Sequence, residues 1–172
     1  MHLERASETP PPGLAEFLRE LGDGEGGFGG TSFGRHETNL AGFLRACLDG
    51  EDAAKLRPGL VPQTVYWMID DNSDAVIGMV RVRHYLNDVL LRSGGHIGYY
   101  VRPAARGRGH ATRALRLALD ALRDRGVTRV LVTVAPDNAA SIRVALANGG
   151  EFDGQGPKPE TGEVLNRYWI DL

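Results

Sequence analysis

The segment 102–113 combines positive charge with glycines at the point where a helix is predicted to begin. Four guanidinium groups fall in this segment of a chain whose formal net charge is −2, those of Arg102, Arg106, Arg108 and Arg113. Gly107 and Gly109 allow a ligand to approach the backbone closely. The N–H groups at a helix N-terminus lack intrahelical partners and, together with the helix dipole, favour phosphate. The segment therefore predicts a site for an anionic ligand.

Two polar motifs flank this segment. A β-rich run precedes it, His96-Ile97-Gly98-Tyr99-Tyr100-Val101. The motif Asn138-x-x-Ser141 follows a short apolar strand, at the start of a further helix that ends at Asn148-Gly149-Gly150. The order of elements here is β-α-β followed by a helix, so each motif lies where a strand ends or a helix begins.

Three other patterns have simpler explanations. Residues 24–29 satisfy G-x-G-x-x-G, but no strand precedes them and Asp23 and Glu25 would repel a pyrophosphate, so we expect a flexible linker. The only cysteine, Cys47, lies on the apolar face of a predicted helix, where a structural thiol is expected rather than a nucleophile. The alternation of Arg and Gly lacks the repeats and interleaved aromatics of an RNA-binding segment.

The elements that must position these residues follow from hydrophobic periodicity. Apolar residues at helical spacing predict helices over residues 14–21, 36–49, 107–125 and 139–148. Runs rich in β-branched and aromatic residues predict strands over residues 64–69, 75–83, 96–101, 129–135 and 165–170. The expected architecture is α/β (α+β), a mixed sheet with helices on both faces.

Composition limits the class of protein. A chain of 172 residues, 42% of them hydrophobic, is expected to form one domain with one sizeable core. Twenty Lys and Arg against 22 Asp and Glu give no general attraction to nucleic acid or to anionic membrane surfaces. No apolar run is long enough to cross a bilayer, and the single cysteine and charged N-terminus favour a soluble, cytoplasmic protein.

The motif Arg106-x-x-Gly109-x-Ala111 fits the R/Q-x-x-G-x-G/A signature of the GNAT superfamily of N-acetyltransferases. With the motifs at 96–101 and 138–150, the resemblance covers about residues 60–172 and is greatest to a group of functionally uncharacterised GNAT acetyltransferases. It implies a single domain over residues 1–172, with a helical, glycine-rich part at 1–60 and an acetyl-CoA-binding core at 61–172. It also implies a mostly antiparallel sheet of about six to seven strands whose central parallel pair splays apart.

The resemblance further implies acetyl-CoA as co-substrate and no metal. Backbone N–H groups of residues 106–111 would hold the pyrophosphate, and the pantetheine arm would pair with the strand at 99–101. The implied cofactor-binding residues are Tyr99, Tyr100, Val101, Arg106, Gly107, Arg108, Gly109, His110, Ala111, Asn138 and Ser141.

Transfer to an amine requires a neutral nitrogen, so a group that takes the proton is needed. His96 lies where several GNAT enzymes carry a base and is the first candidate. His84 is the second, and proton removal through ordered water is the alternative. The nitrogen would then attack the acetyl carbonyl directly, with the oxyanion held by a backbone N–H near Val101.

The acid that protonates the departing thiolate is not evident. Many relatives carry a tyrosine seven residues after the asparagine of the downstream motif, where this chain has Ala145. Tyr168 is a candidate replacement, as is Tyr99, if the fold brings either near the sulfur.

The acceptor is expected to be the primary amine of a small molecule. Four acids could attract a cation, although solvated turn residues explain them equally well: Asp70, Asp71, Asp74 and Asp88. A protein or peptide acceptor and a non-catalytic acyl-CoA-binding regulatory module are the alternatives, and the segment 22–35 decides how open the acceptor site is. The expected partners are acetyl-CoA and an amine, without nucleic acid or membrane, and the chain is expected to be a monomer or homodimer.

Overall fold

The computed structural model describes residues 1–31, 33, 38–157 and 161–172. Within these ranges the strands are β1 His2–Arg5, β2 Gln63–Ile69, β3 Val76–Arg83, β4 Ile97–Val101, β5 Arg129–Val134, β6 Glu151–Pro157 and β7 Val164–Asp171. The α-helices are α1 Leu14–Leu21, α2 Leu40–Asp49, α3 Asp88–Arg92, α4 His110–Arg123 and α5 Ala139–Ala147. None of the described helices has the length and apolar character needed to cross a membrane.

The strands form two antiparallel sheets. The first has the order β1-β2-β3-β4 and the second the order β5-β7-β6. In the first sheet Val80 of β3 lies opposite Tyr99 of β4, and in the second Val132 of β5 lies opposite Tyr168 of β7. The seven strands and their antiparallel pairing confirm the predicted fold class.

The two sheets meet at one end of β4 and β5. The His96 N–H donates to the Leu131 carbonyl at 2.8 Å, and the Leu131 N–H donates to His96 Nδ1 at 3.0 Å. Beyond this point no backbone ladder joins β4 to β5 in the described ranges, so the strands separate and leave a cleft.

Helices cover both faces of the first sheet because the side chains of β2 alternate between two apolar clusters. Met68 joins Leu115 and Leu122 of α4 in one cluster. Its neighbour Trp67 packs with Phe17 of α1 in the other cluster. The first sheet is therefore held between α4 on one face and the N-terminal helices on the other.

Several predicted boundaries change. The helix predicted over 36–49 begins at Leu40, where the Asn39 side chain accepts the Ala41 N–H at 3.1 Å; residues 36 and 37 lie outside the described ranges. The helix predicted from residue 107 begins at His110 because Gly107 and Gly109 have φ of +76° and +77°. The strands β1 and β6 and the helix α3 were not predicted.

Candidate active site

A first cavity, here the loop cavity, opens between β4, the loop that follows it and the first turns of α4 and α5. Its volume is about 770 Å³. Its lining includes ten of the eleven residues predicted to bind the cofactor: Tyr99, Tyr100, Val101, Arg106, Gly107, Gly109, His110, Ala111, Asn138 and Ser141. Arg108, the eleventh, is exposed and lies outside this lining.

The N-terminus of α4 has the properties of an anion site. Gly109 caps the helix in the left-handed conformation, and no side chain accepts from the first turn. The N–H groups there have no intrahelical partner, and His110, Ala111 and Thr112 line the loop cavity. The positive end of the helix dipole and these N–H groups together form a cradle for phosphate.

Arg106 holds a guanidinium beside this cradle. Its Nε donates to the Val101 carbonyl at 2.9 Å, and its guanidinium carbon lies 5.4 Å from the centre of the Tyr100 ring. Its Nη2 donates to the Glu25 carboxylate. This hydrogen bond, together with the charge of Arg106, lowers the pKa of Glu25. This cation of the loop cavity is therefore already paired with an acid.

The open edge of β4 offers unpaired backbone groups to the cleft. The Arg102 N–H donates to the Ile77 carbonyl at 2.9 Å, and the Arg83 N–H donates to the His96 carbonyl at 2.8 Å. Because backbone groups alternate in direction along an antiparallel strand, the N–H and C=O groups of the even-numbered residues of β4 point toward β3. The N–H and C=O groups of Tyr99 and the N–H of Val101 consequently face the side on which β5 has separated.

A second cavity, here the sheet cavity, has a volume of about 730 Å³. It is bounded by residues 26–29, by Arg81 and Arg83 of β3, by the start of β4, by the end of β5 and by residues 163–165. The two cavities share four lining residues, Gly26, Tyr99, Asp137 and Ser141. The two cavities are therefore neighbours, and these residues form their junction.

The Tyr99 hydroxyl lies at this junction, buried and without a hydrogen-bond partner in the described part of the chain. Burial raises the pKa of the Tyr99 hydroxyl, and the nearby Ser141 side chain partly offsets this rise. The two side chains do not form a hydrogen bond. A buried polar group without a partner is costly unless a ligand completes its hydrogen bonding. Tyr99 therefore has a protonated hydroxyl whose hydrogen bonding the described part of the chain leaves incomplete.

The glycine-rich segment 24–30 crosses both cavities and is here called the strap. Asn138 Nδ2 donates to the Gly26 carbonyl at 3.0 Å, and Phe28 packs on Tyr100 with ring centres 6.1 Å apart. A Cβ at Gly24 would lie 1.9 Å from the Phe28 carbonyl oxygen, so the turn requires glycine there. The strap follows α1 rather than a strand, as the sequence indicated.

His96 is 5% exposed and lies outside the lining of both cavities. Its Nδ1 accepts the Leu131 N–H at 3.0 Å. Burial and the charge of Arg83 lower its pKa to about 4, so the imidazole is neutral near pH 7. Its contacts join the two sheets at the closed end of the cleft.

The other candidate proton carriers also lie away from the cavities. His84 Nε2 is 2.9 Å from Thr64 Oγ1, and burial and the charge of Arg125 lower its pKa. Tyr168 is buried in the core against Phe152, with ring centres 5.7 Å apart. Neither lines a cavity.

The four turn acids are similarly outside the lining. Asp71 binds the N-terminal ammonium at 2.6 Å, and Asp70 accepts the Asn72 N–H at 2.8 Å. Asp74 and Asp88 line neither cavity. Among the described residues no group of His, Cys, Asp and Glu is placed to hold a metal ion.

Residues 36–151 match the family model described as the acetyltransferase (GNAT) domain. The chain belongs to this family, and it is an N-acetyltransferase whose acyl donor is acetyl-CoA. No curated protein matches the sequence.

Solved structures share the fold over nearly the whole chain. The ribosomal-protein-S5-alanine acetyltransferase of Vibrio fischeri is 16% identical, with a TM-score of 0.73 over 98% of this chain and 91% of that chain. The acetyltransferase of Salmonella typhimurium that modifies the N-terminal serine of ribosomal protein L7/L12 is 17% identical, with a TM-score of 0.68 over 99% and 94%. The yncA protein of Salmonella typhimurium, described as an acetyltransferase and solved with its cofactor acetyl-CoA, is 18% identical, with a TM-score of 0.64 over 99% and 93%.

The loop cavity fits the parts of acetyl-CoA. The uncapped first turn of α4 suits a pyrophosphate. The unpaired edge of β4 suits the amide groups of a pantetheine arm, and the unpartnered Tyr99 hydroxyl suits a group that accepts a hydrogen bond.

Glu25→Gln is expected to tighten CoA binding by about two- to fivefold, the range for an exposed ion pair. The substitution removes the carboxylate that competes with phosphate for Arg106. Equilibrium titration of CoA measures the change. Glu20→Gln is the matched control, because Glu20 pairs with Arg102, which lies outside both cavities. Equal affinities in wild type and Glu25→Gln would show that the Arg106–Glu25 pair does not oppose CoA.

Proposed function

We propose that this protein acetylates the primary amine of a small molecule by direct transfer from acetyl-CoA. One observation carries the proposal, the junction at which the loop cavity and the sheet cavity share Tyr99 and Ser141. A donor in the first cavity and an acceptor in the second would meet at this junction. Holding two reactants in contact replaces a bimolecular encounter and supplies much of the rate enhancement.

The strap and the size of the sheet cavity support a small acceptor. The strap crosses it and is fixed on one side by Asn138, which binds the Gly26 carbonyl, and on the other by Arg81, which binds the Gly29 carbonyl at 3.3 Å. The sheet cavity has a volume of about 730 Å³, which lies within the range of small-molecule pockets. A peptide would require an open groove where the strap now lies.

The residues of the chain have separate tasks in this scheme. Acetyl-CoA supplies an acetyl group already activated as a thioester. The first turn of α4 and Arg106 bind phosphate, and the Val101 N–H on the open edge of β4 is the donor we assign to the developing oxyanion. The amine loses its proton to water as it attacks, and Tyr99 donates a proton to the leaving sulfur and recovers one from water. Ser141 lies beside Tyr99 and partly offsets the rise in its pKa.

Measurement of thiol release from acetyl-CoA tests the function. The panel contains polyamines, amino sugars, amino acids and short peptides, and acetyl-CoA binding is measured separately. Release with one class of small amine supports the proposal. Release only with peptides would assign a protein acceptor, and tight acetyl-CoA binding without release to any amine would indicate a regulatory module.

The variant His96→Asn tests whether His96 is the general base or only joins the two sheets. Asn places its amide oxygen near the position of His Nδ1, so it can accept the Leu131 N–H while lacking a basic nitrogen. Because His96 lies outside both cavities, we expect kcat to stay within about threefold of wild type, a change far below the hundredfold or more of a lost base. Loss of kcat in His96→Asn without loss of stability would identify His96 as the base.

The pH dependence of unfolding provides the second measurement on this variant. The unfolded chain takes up a proton on His96 at its ordinary pKa of 6.5, whereas burial lowers the pKa in the folded protein to about 4. The stability that His96 contributes is therefore complete above pH 6.5 and is lost as the pH falls toward 4. In His96→Asn this part of the pH dependence should be absent.

A further inference from the structure

Two arginines of β3 line the sheet cavity without an acidic partner. Arg81 and Arg83 are two residues apart on a strand, so they lie on the same face with Cα atoms about 7 Å apart. Both contribute to the cavity lining. In the described part of the chain neither forms an ion pair, and their hydrogen bonds go to backbone carbonyls.

Both guanidinium groups keep their charge in a partly buried position. Burial and the nearby charge of Arg83 lower the pKa of Arg81 to about 10, and burial lowers the pKa of Arg83. Arginine keeps its proton in proteins, so both side chains carry a positive charge near pH 7. Burying a cation without a counter-ion is unfavourable, and two of them side by side repel each other.

A structural role explains the hydrogen bonds and part of the charge of Arg81, whose guanidinium carbon lies 4.5 Å from the centre of the Phe28 ring. It does not explain the charge of Arg83. Arg81 binds the carbonyls of Gly29 and Gly30 in the strap, and Arg83 binds those of Gly94 and Gly95, each at 2.9 Å. A neutral donor would satisfy the same carbonyls at a lower desolvation cost. Elsewhere in the described chain arginines near the sheet pair with acids, as Arg102 does with Glu20.

The two acids of the sheet cavity lie apart from this pair. Asp137, at the end of β5, and Glu163, before β7, are exposed lining residues. Neither forms an ion pair with Arg81 or Arg83. The cavity thus combines cations on β3 with the exposed carboxylate of Asp137, which suits a molecule carrying both signs of charge.

We infer that the acceptor carries an anionic group, a carboxylate or a phosphate, which Arg81 and Arg83 bind while its amine points toward Tyr99. Arg81 lies opposite Gly98, the residue before Tyr99, so the anion subsite adjoins the junction of the cavities. The Phe28 ring of the strap packs over Gly98, where a Cβ would lie 3.5 Å from it. This assignment rests on the proposed function and specifies its substrate as a zwitterionic amine rather than a polycation.

Matched pairs of acceptors test the charge requirement. Amino acids of increasing length, from glycine to γ-aminobutyrate, are compared with their amides, and phosphoethanolamine is compared with ethanolamine. The measured quantity is the ratio of kcat/KM for the anionic member to that for its neutral partner. We expect a ratio above ten in at least one pair, and the pair that shows it distinguishes a carboxylate from a phosphate.

Substitutions at the arginines identify the residues responsible. Arg83→Gln and Arg81→Gln keep a donor but remove the charge, and should lower the ratio about tenfold to hundredfold, as expected for hydrogen bonds to a charged group. Arg83→Lys keeps the charge and should lower this kcat/KM ratio less than Arg83→Gln does. Arg92→Gln is the control, because Arg92 is exposed on α3 outside both cavities. Thermal unfolding of each variant verifies that it is folded.

Binding without turnover separates this inference from the transferase proposal. Calorimetric titration of the same acceptors into the protein saturated with CoA should show binding of the anionic member, weakened in Arg83→Gln. Such binding without thiol release would support the anion subsite and contradict the transferase proposal. Thiol release with ratios near one in every pair would overturn the anion subsite alone. If no anionic acceptor binds and no pair differs in kcat/KM, the anion subsite is also overturned.

Discussion

Gly109→Glu should weaken CoA binding at least a hundredfold and abolish thiol release. Gly109 begins α4 with φ of +77°, and no atom outside its immediate neighbours lies within 4 Å of the position that a Cβ would take there. A side chain at this position costs about 1–2 kcal/mol of backbone strain. It also places a carboxylate in the cradle formed by the first turn of α4, where it occupies the anion site and repels phosphate.

Gly126→Glu is the matched control for this prediction. Gly126 follows the other end of α4 with φ of +80°, and a Cβ at this residue would likewise have no other atom within 4 Å. The same strain and the same charge are thereby introduced away from both cavities. Calorimetric titration of CoA should give wild-type affinity for Gly126→Glu. Comparable losses in both variants would mean that strain, rather than the anion cradle, limits binding.

The segment around Gly109 illustrates what a sequence can predict. Arginines, glycines and helical periodicity are local features, and they predicted the helix together with the loop before it, which lines the loop cavity. The helix nevertheless begins at His110 rather than at residue 107, because two left-handed glycines precede it. Helix α3 had a recognisable signal as well, since Asn87 caps it by accepting the Leu90 N–H at 3.0 Å.

Elements held by distant partners were missed. Strand β1 has four residues and exists because it pairs with residues 66–69 of β2. Strand β6 includes Asp153, Gly154 and Gly156, which favour turns, and its pairing with β7 is interrupted between Phe152 and Gln155. In both strands the partner supplies the stability, so local composition carries little information about them.

The sheet cavity shows the same limit. The alternation Arg81-Val82-Arg83 is typical of a strand with one solvated face, and only the tertiary structure places both guanidinium groups in a cavity beneath the strap. His96 was recognisable as a titratable residue. Its contact with Leu131, 35 residues away, could not be predicted from its own segment.

Tyr99→Phe should lower kcat by about a hundredfold while leaving CoA affinity within about threefold, since a positioned general acid contributes about 10²–10⁴ to the rate. The substitution removes only the hydroxyl that lies unpartnered at the junction of the two cavities. Because burial raises the pKa of Tyr99, the acid stays protonated across the neutral range. Loss of activity through Tyr99 deprotonation should therefore appear only at alkaline pH, above the ordinary value of 10.0.

Tyr168→Phe distinguishes this role from a general effect of removing a buried hydroxyl. Tyr168 is also buried, but it lies outside both cavities, and its hydroxyl is 3.5 Å from Asn166 Nδ2. We expect a small loss of stability and an unchanged kcat. Single-turnover measurement of thiol release separates the chemical step from product dissociation. If Tyr99→Phe keeps the wild-type single-turnover rate, the proton reaches the sulfur from water or from the departing ammonium. Tyr99 would then serve only to shape the junction.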